Sequence, residues 1–481
     1  MEFYSPNFAE HRVIFERDYF VFMERMMGNV IGIMVTIFVT IYLGDTWGVS
    51  NYQTLSIFLL IFLFIKIVRG FGQTVWVFLD VISLLLVLTC LITPMVFYLH
   101  FTEAHFLTRL WVKAMPISSK EYYDYAFPAS LSLIAGFNLP LIKRINLKYK
   151  IKEYINLSLL KRPIRVSFLL ILISLFATFM FPFVSEGVKF FIFLMIKLSF
   201  VGLFYLFFSG TRMNYIWLLI AGVLLITQAL QSGMFGELIF ITLIFLILFT
   251  IGNNYSFIFK TVMILLGICI IFLIQSIKQD YRVQITEGKN GQSYFSIFST
   301  LISSRFSNTN DAFSEERLFH IADRFNQGRL VAHVIKRVPA VVPFANGETI
   351  TTSLIASVVP RFLWLNKPKA GGKQNIEKIL GWNLGNTSMN IGLLGESFAN
   401  FGAFWGCLFL FIYGFLFQWC YNFVIKLSHK HPTVIIWIPI LFFQAIGVEN
   451  DVLTVVNHLI KTGFFVFIMY RIFPMIFKIK L

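Results

Sequence analysis

The chain has 481 residues, 57% of them hydrophobic and only 13% charged, with 58 phenylalanines and a formal net charge of +16. A soluble globule carries about a quarter of its residues charged, so this composition excludes one and indicates a polytopic membrane protein. With no nucleic-acid-binding motif and no soluble basic domain beside it, the positive balance does not point to a nucleic-acid partner.

No short apolar region followed by a small-residue cleavage site opens the chain, so the first apolar run is expected to stay as a membrane helix. A bilayer core needs about 20 mostly apolar residues per helix. On that ruler twelve spans are expected, near residues 27–44, 52–69, 74–99, 125–142, 166–184, 188–208, 215–232, 235–252, 257–277, 399–425, 433–448 and 454–473. The fold class is therefore all-α, in three parts: a membrane domain over 1–277 with nine spans, a loop over 278–398 containing short helices, and a membrane domain over 399–481 with three spans. Cys90, Cys269, Cys407 and Cys420 all fall inside apolar runs and form neither a disulfide framework nor a metal-ligand pattern.

Orientation follows from the short connections. Between the fourth and fifth spans Lys143, Arg144, Lys148, Lys150, Lys152, Lys161, Arg162 and Arg165 face a single acid, Glu153, which marks that side as cytoplasmic. Alternation then puts both termini inside and the 278–398 loop outside. The connection over 100–124 is also outside; it carries His100 and His105, whose spacing of five does not share a helical face. It reads as an interfacial segment, and no metal site is expected.

The long outer loop is the polar centre of the chain. Between Lys278 and Asn390 it holds fourteen basic residues against eight acidic ones, and long loops cross a membrane largely regardless of charge. A basic surface beside a bilayer suits an anionic ligand such as a lipid phosphate or pyrophosphate. Glu315 to Ala340 reads as helix: Arg317, His320 and Arg324 recur on one face, and Arg329, His333, Lys336 and Arg337 on another, with Gly328 able to end or bend the helix between them. Pro339 and Pro343 stop it, and Asn346-Gly347 favours a turn. In SVVPRFLWLNKPKAGGK, Phe362, Leu363 and Trp364 are expected to anchor at the interface while Arg361, Lys367, Lys369 and Lys373 face an anion.

Five strings carry a resemblance: KQDYR at 278–282, RFNQGRL at 324–330, PFANGET at 343–349, PRFLWLNKP at 360–368 and GNTSMNIGLLGESFANFG at 385–402. Together they resemble the O-antigen polymerases (Wzy type), which polymerise lipid-linked oligosaccharide repeat units. The resemblance implies a GT-C-like helical membrane fold without a nucleotide-sugar site, which suits the twelve expected transmembrane helices and the large outer loop, here periplasmic; no cofactor is expected. It further implies a glycosyltransferase of the bacterial inner membrane, involved in polysaccharide and lipopolysaccharide biosynthesis. Donor and acceptor would both be oligosaccharides on undecaprenyl pyrophosphate, with a chain-length regulator and a flippase as further partners.

On this reading the arginines bind the pyrophosphate as it leaves: Arg324 and Arg361 at the reacting centre, Arg282, Arg329, Arg337 and Lys367 around it. Glu396, in LLGESFANFG, is the first choice of base because a carboxylate among apolar neighbours can have a raised pKa; His333 is second and His320 third. Arg317, Tyr281, Glu449 and Asp451 are secondary candidates for the acceptor path, whereas Asp80 reads as structural. Two rivals remain: an O-antigen ligase that moves the finished chain to lipid A core, and a polysaccharide transporter or flippase, against which stands the scarcity of midspan charges, Lys197 being the clearest exception.

Overall fold

The computed structural model describes residues 50–102, 104–111, 115–139, 163–208, 214–233, 235–250, 255–286, 293–307, 314–359, 363–364, 366–385 and 389–478, and every regular element among them is helical. The chain divides into units 1–61 and 62–481. The described part of the first unit opens helix α1 (Asn51–Gly70) with a reciprocal cap: Gln53 N–H donates to Ser50 Oγ at 3.4 Å, and Ser50 N–H to Gln53 Oε1 at 3.0 Å.

In the second unit, α2 runs over Val77–Leu99 and loosens to a π turn at Leu88–Ile92. Pro94 has no N–H to give the Cys90 carbonyl, and Tyr122 of α4 (Ser119–Asn138) donates its hydroxyl there instead; Tyr123 does the same for Leu91. Between these helices lies the short α3 (Phe106–Trp111). Asp80 is buried and bonded to Lys66 Nζ, which also donates to Asn138 Oδ1 at 2.7 Å, so its role is structural.

Next come α5 (Pro163–Met180), α6 (Glu186–Ile196), α7 (Leu198–Phe208), α8 (Asn214–Ser232), α9 (Phe235–Phe249) and α10 (Phe257–Thr286). The expected span 188–208 is interrupted at Lys197, whose ammonium pairs with Glu237 of α9 and lies 4.6 Å from the centre of the Phe193 ring. The polar segment supplies α11 (Tyr294–Ser307), α12 (Glu315–Phe325), α13 (Gly328–Arg337), α14 (Glu348–Val358) and helical turns over 373–380. Then follow α15 (Gly392–Leu427), α16 (Val434–Ile446) and α17 (Val452–Phe477).

Seven helical stretches among the described residues are long and apolar enough to cross a membrane: Asn51–Gly70, Val77–Leu99, Ile164–Phe183, Gly187–Phe207, Phe257–Lys278, Gly392–Leu427 and Val452–Phe477. Each meets one of the twelve expected spans. The expected spans at 125–142, 215–232, 235–252 and 433–448 coincide with α4, α8, α9 and α16, which are helical but are not among those seven; 27–44 lies outside the described residues.

The segment that positions the polar region is the crossing of α4 and α15. A Cβ on Gly136 would meet Phe411 O at 2.4 Å, and one on Gly414 would meet Leu133 O at 2.6 Å, so the two backbones touch only because neither position has a side chain. Above the crossing, Tyr125 donates to Leu394 O at 2.8 Å and shares a 2.6 Å bond with Ser397 Oγ. Gly402, at φ 70°, breaks α15 into a short upper piece and a long apolar one. The upper piece carries Glu396 and Asn400.

Candidate functional site

The α12–α13 pair is built by a strong amphipathic pattern. Glu315 and Glu316 occupy the first turn of α12 and Arg324 its last; Lys336 and Arg337 occupy the last turn of α13, all favourable to the helix dipoles. Asn326 Oδ1 accepts the Arg329 N–H at 3.0 Å and so starts the second helix. Leu330, Val331, Val334 and Ile335 are buried, leaving Arg329, His333, Lys336 and Arg337 on the opposite face, as the spacing predicts. Gly328 has a different reason from the one read in the sequence. A Cβ there would stand 2.2 Å from Tyr122 Oη and 2.3 Å from Pro94 Cγ, so the glycine lets α13 dock on α2 and α4.

The polar end of α10 faces this pair. The charges of Arg282 and Glu449 act on Lys278, and those of Arg282, Asp280 and Asp323 on Arg324, which gathers cations of α10 and α12 beside the turn 447–451. Arg282 also donates through Nε to Gly233 O at 3.1 Å. Arg329 Nε lies 3.7 Å from Asp323 Oδ1, and Arg337 Nε donates to Ile379 O at 3.1 Å, clamping the 376–380 turn. His333 packs edge-on against Trp382 with ring centres 4.9 Å apart. Burial first, and then the charges of Arg329, Lys336 and Arg337, push its pKa down to about 4, so the imidazole is neutral at pH 7.

A small apolar cavity lined by Ile82, Leu86, Leu133, Phe137 and Tyr413 lies among α2, α4 and α15, with Val448 and Asn450 at its rim. A Cβ on Gly392 would meet Gln327 Nε2 at 2.8 Å and Val448 O at 3.3 Å, so the α12–α13 linker, the start of α15 and that rim are in contact.

Glu396 sits in a closed network. It is fully buried; Oε1 accepts from Thr349 Oγ1 at 2.9 Å and Oε2 from Val452 N at 2.8 Å. Asn400 donates to Thr349 Oγ1 at 2.7 Å and accepts Gly347 N–H at 3.1 Å. Asn346 and Gly347 both have positive φ, 48° and 85°, the left-handed pair that the expected turn requires. Asp451 caps α17, accepting from Thr454 N at 2.9 Å and Thr454 Oγ1 at 2.6 Å through Oδ1, and from Asn375 Nδ2 at 3.1 Å through Oδ2.

Three expected site residues are placed elsewhere. Tyr281 is fully buried in the apolar cluster with Leu230, Phe235 and Ile297, and its hydroxyl donates to Leu230 O at 2.8 Å, so it is a core residue. Lys367 does not face outward: it is buried and donates to Val359 O at 2.7 Å, satisfying the end of α14. His320 lies on α12 with Nε2 3.9 Å from Glu316 Oε1, apart from the α13 face. Arg317 shares α12 with it, and Arg361 lies outside the described residues.

Sequence reasoning missed the Thr349–Asn400 link and the Asp451 cap, although Asp451 and Thr454 are spaced as a cap and Glu396 and Asn400 share a helical face. It also missed a cluster of His100, His105 and Glu315. His105 Nε2 lies 2.9 Å and His100 Nε2 3.3 Å from Glu315 Oε1, and the hydrogen bond from His105 holds the Glu315 carboxyl below its usual range.

These elements define a helical membrane protein with a cationic helix pair seated on its bundle. The chain belongs to the family described as Domain of unknown function (DUF8712), whose model matches residues 98–479. No curated protein and no solved structure matches it.

Proposed function

We propose that this protein polymerises oligosaccharide repeat units carried on undecaprenyl pyrophosphate, at the periplasmic face of the bacterial inner membrane. The observation that carries the reading is the gathering of Lys278, Arg282 and Arg324 at the polar end of a membrane-length helix, with Glu449 of the turn 447–451 acting on Lys278 and that same turn lining a small apolar cavity. A diphosphate head suits this cationic surface, and the lipid-facing helices beside it suit an isoprenoid tail.

In the reaction an acceptor hydroxyl attacks the anomeric carbon of the donor, the carbon–oxygen bond to the diphosphate breaks, and the leaving group departs with the electron pair. Arginines that hold the developing charge lower that barrier. The hydroxyl proton passes to a base. His333, neutral at pH 7 and on the cationic face, takes that role, while Glu396 pins the 345–349 turn and α17 to the upper piece of α15. Arg361 stays in the proposal as a further cation from the polar segment.

The test is the purified protein in lipid with undecaprenyl-pyrophosphate-linked repeat units and no transmembrane gradient. A ladder of products supports the reading; unchanged donor overturns it. In cells, disruption leaves single-repeat lipopolysaccharide if the protein is the polymerase. Loss of every capped form, with polymer still on the carrier lipid, assigns it as the ligase instead. A transport reading draws on one feature, Lys197, which lies within a stretch able to span the membrane and pairs with Glu237 of α9, and gradient-dependent movement of substrate without a product ladder supports it.

A further inference from the structure

His100 follows the last turn of α2, His105 precedes α3, and Glu315 opens α12, 210 positions further along the chain than His105. An apolar hub brings them together. Phe101 is packed between the two imidazoles, 4.6 Å from His100 and 5.2 Å from His105, and Phe319, one turn beyond Glu315 and fully buried, closes on Phe97 at 5.7 Å and Phe101 at 5.1 Å. The ligand atoms of all three residues lie within 4.8 Å of one another.

We propose that His100 Nε2, His105 Nε2 and Glu315 Oε1 bind one divalent transition-metal ion of the zinc class. Two imidazoles and a carboxylate are the donor set that borderline ions prefer over magnesium or calcium. Bond lengths of about 2.0–2.2 Å in a tetrahedron set neighbouring donors about 3.3–3.6 Å apart; the two nitrogen-to-oxygen separations here are 2.9 and 3.3 Å, so small side-chain adjustments bring all three donors onto one ion. The side chains of Glu315 and His100 are 58% and 61% exposed, so the remaining position opens to solvent and takes water. The ion pins the start of α12, whose far end carries Arg324, to the 100–105 turn.

One contact opposes metal. Leu107 N–H approaches His105 Nδ1 at 3.3 Å, which places the ring proton on Nε2. Loading moves that proton to Nδ1 and exchanges the Leu107 contact and the 2.9 Å donation from Nε2 to Glu315 for coordinate bonds from Nε2 and Oε1 to the ion; no proton leaves the ring.

The test needs no enzymatic assay, so its outcome is separate from that of the transferase reading. Full-length protein in detergent, stripped with a chelator, is titrated with Zn(II) against a chromogenic competitor, and with Co(II) by visible absorption. One ion per chain is expected, with the Co(II) spectrum of a four- or five-coordinate nitrogen and oxygen site. His105→Ala and Glu315→Gln should each weaken binding at least tenfold, as should His100→Gln at an exposed position where folding is not at risk. Absence of stoichiometric binding, or equal affinity in the three variants and the wild type, overturns the site.

Discussion

Two polar constellations stand close together in the sequence and are built on opposite principles. Around Glu396 every donor meets an acceptor inside the protein: Thr349, Val452, Asn400, Gly347, Asp451 and Thr454 close on one another, and both carboxylates are buried. On α13 and the facing end of α10 the cations outnumber the acids near them, and Arg324, Lys336 and Arg282 are exposed. A closed network fixes backbone segments; an open cationic face keeps capacity for a ligand. The sequence shows both only as polar residues, and burial separates them.

The largest effect should come from opening the closed network. Glu396→Ala leaves the Thr349 hydroxyl and the Val452 N–H without their acceptor at a buried site, where each orphaned group costs about 1–3 kcal/mol. A loss of about 4 kcal/mol in thermal unfolding in detergent is expected, with Glu396→Gln much milder and still active in polymerisation. A Gln variant that melts like wild type but makes no polymer breaks the contrast and returns Glu396 to the chemistry.

The open face should respond in the other way. Arg329→Ala and Arg324→Ala each remove a contact to the departing diphosphate, worth about 2–4 kcal/mol in the transition state by analogy with an oxyanion donor. Turnover should fall about a hundredfold or more in both, while the melting midpoint stays close to wild type in Arg324→Ala and drops in Arg329→Ala, which takes the Arg329 charge away from the largely buried Asp323. Unchanged polymer yield from both variants, properly inserted, removes the cationic face from the mechanism.

A smaller, pH-dependent effect belongs to His333. Its folded pKa, about 4, lies below its ordinary value near 6.5, so protons favour the unfolded chain. Its stability contribution is full above pH 6.5 and is lost as pH falls toward 4. The ring is partly exposed, and after discounting for screening the loss is about 1–2 kcal/mol. His333→Gln should flatten that slope in a melting series from pH 7 to 4; an unchanged slope places the titration elsewhere.

How far these contrasts were legible depends on the range of the contacts. Two helices within 315–340 follow from local period, although the break falls at Asn326–Gln327 and Gly328 opens the second helix instead of ending the first; the Asn346-Gly347 turn and the stop before Pro339 also follow from local signals. The reason for Gly328 is a contact with Tyr122 and Pro94, far away in the chain, and no local pattern announces it. Lys367 reads as facing an anion because it follows the apolar anchor Phe362–Trp364 together with Arg361, Lys369 and Lys373; it is turned in to serve the end of α14. Tyr281 was grouped with its charged neighbours in KQDYR, but α10 continues past its apolar stretch and turns that one position into the core. The His100–His105–Glu315 cluster is the extreme case, since spacing within 100–124 argues against it and the third ligand comes from another segment.

The smallest expected effect sharpens the comparison at its edge. Asp451 was a candidate for the acceptor path and is found as the cap of α17, bound to Thr454 and Asn375. Asparagine caps a helix about as well as aspartate, so Asp451→Asn should cost under about 1 kcal/mol, whereas Asp451→Ala should cost about 1–2 kcal/mol. Both variants should polymerise in proportion to the folded protein recovered. If Asp451→Asn melts like wild type yet stops elongation, the charge itself is used, and the closed network reaches into the reaction it otherwise only supports.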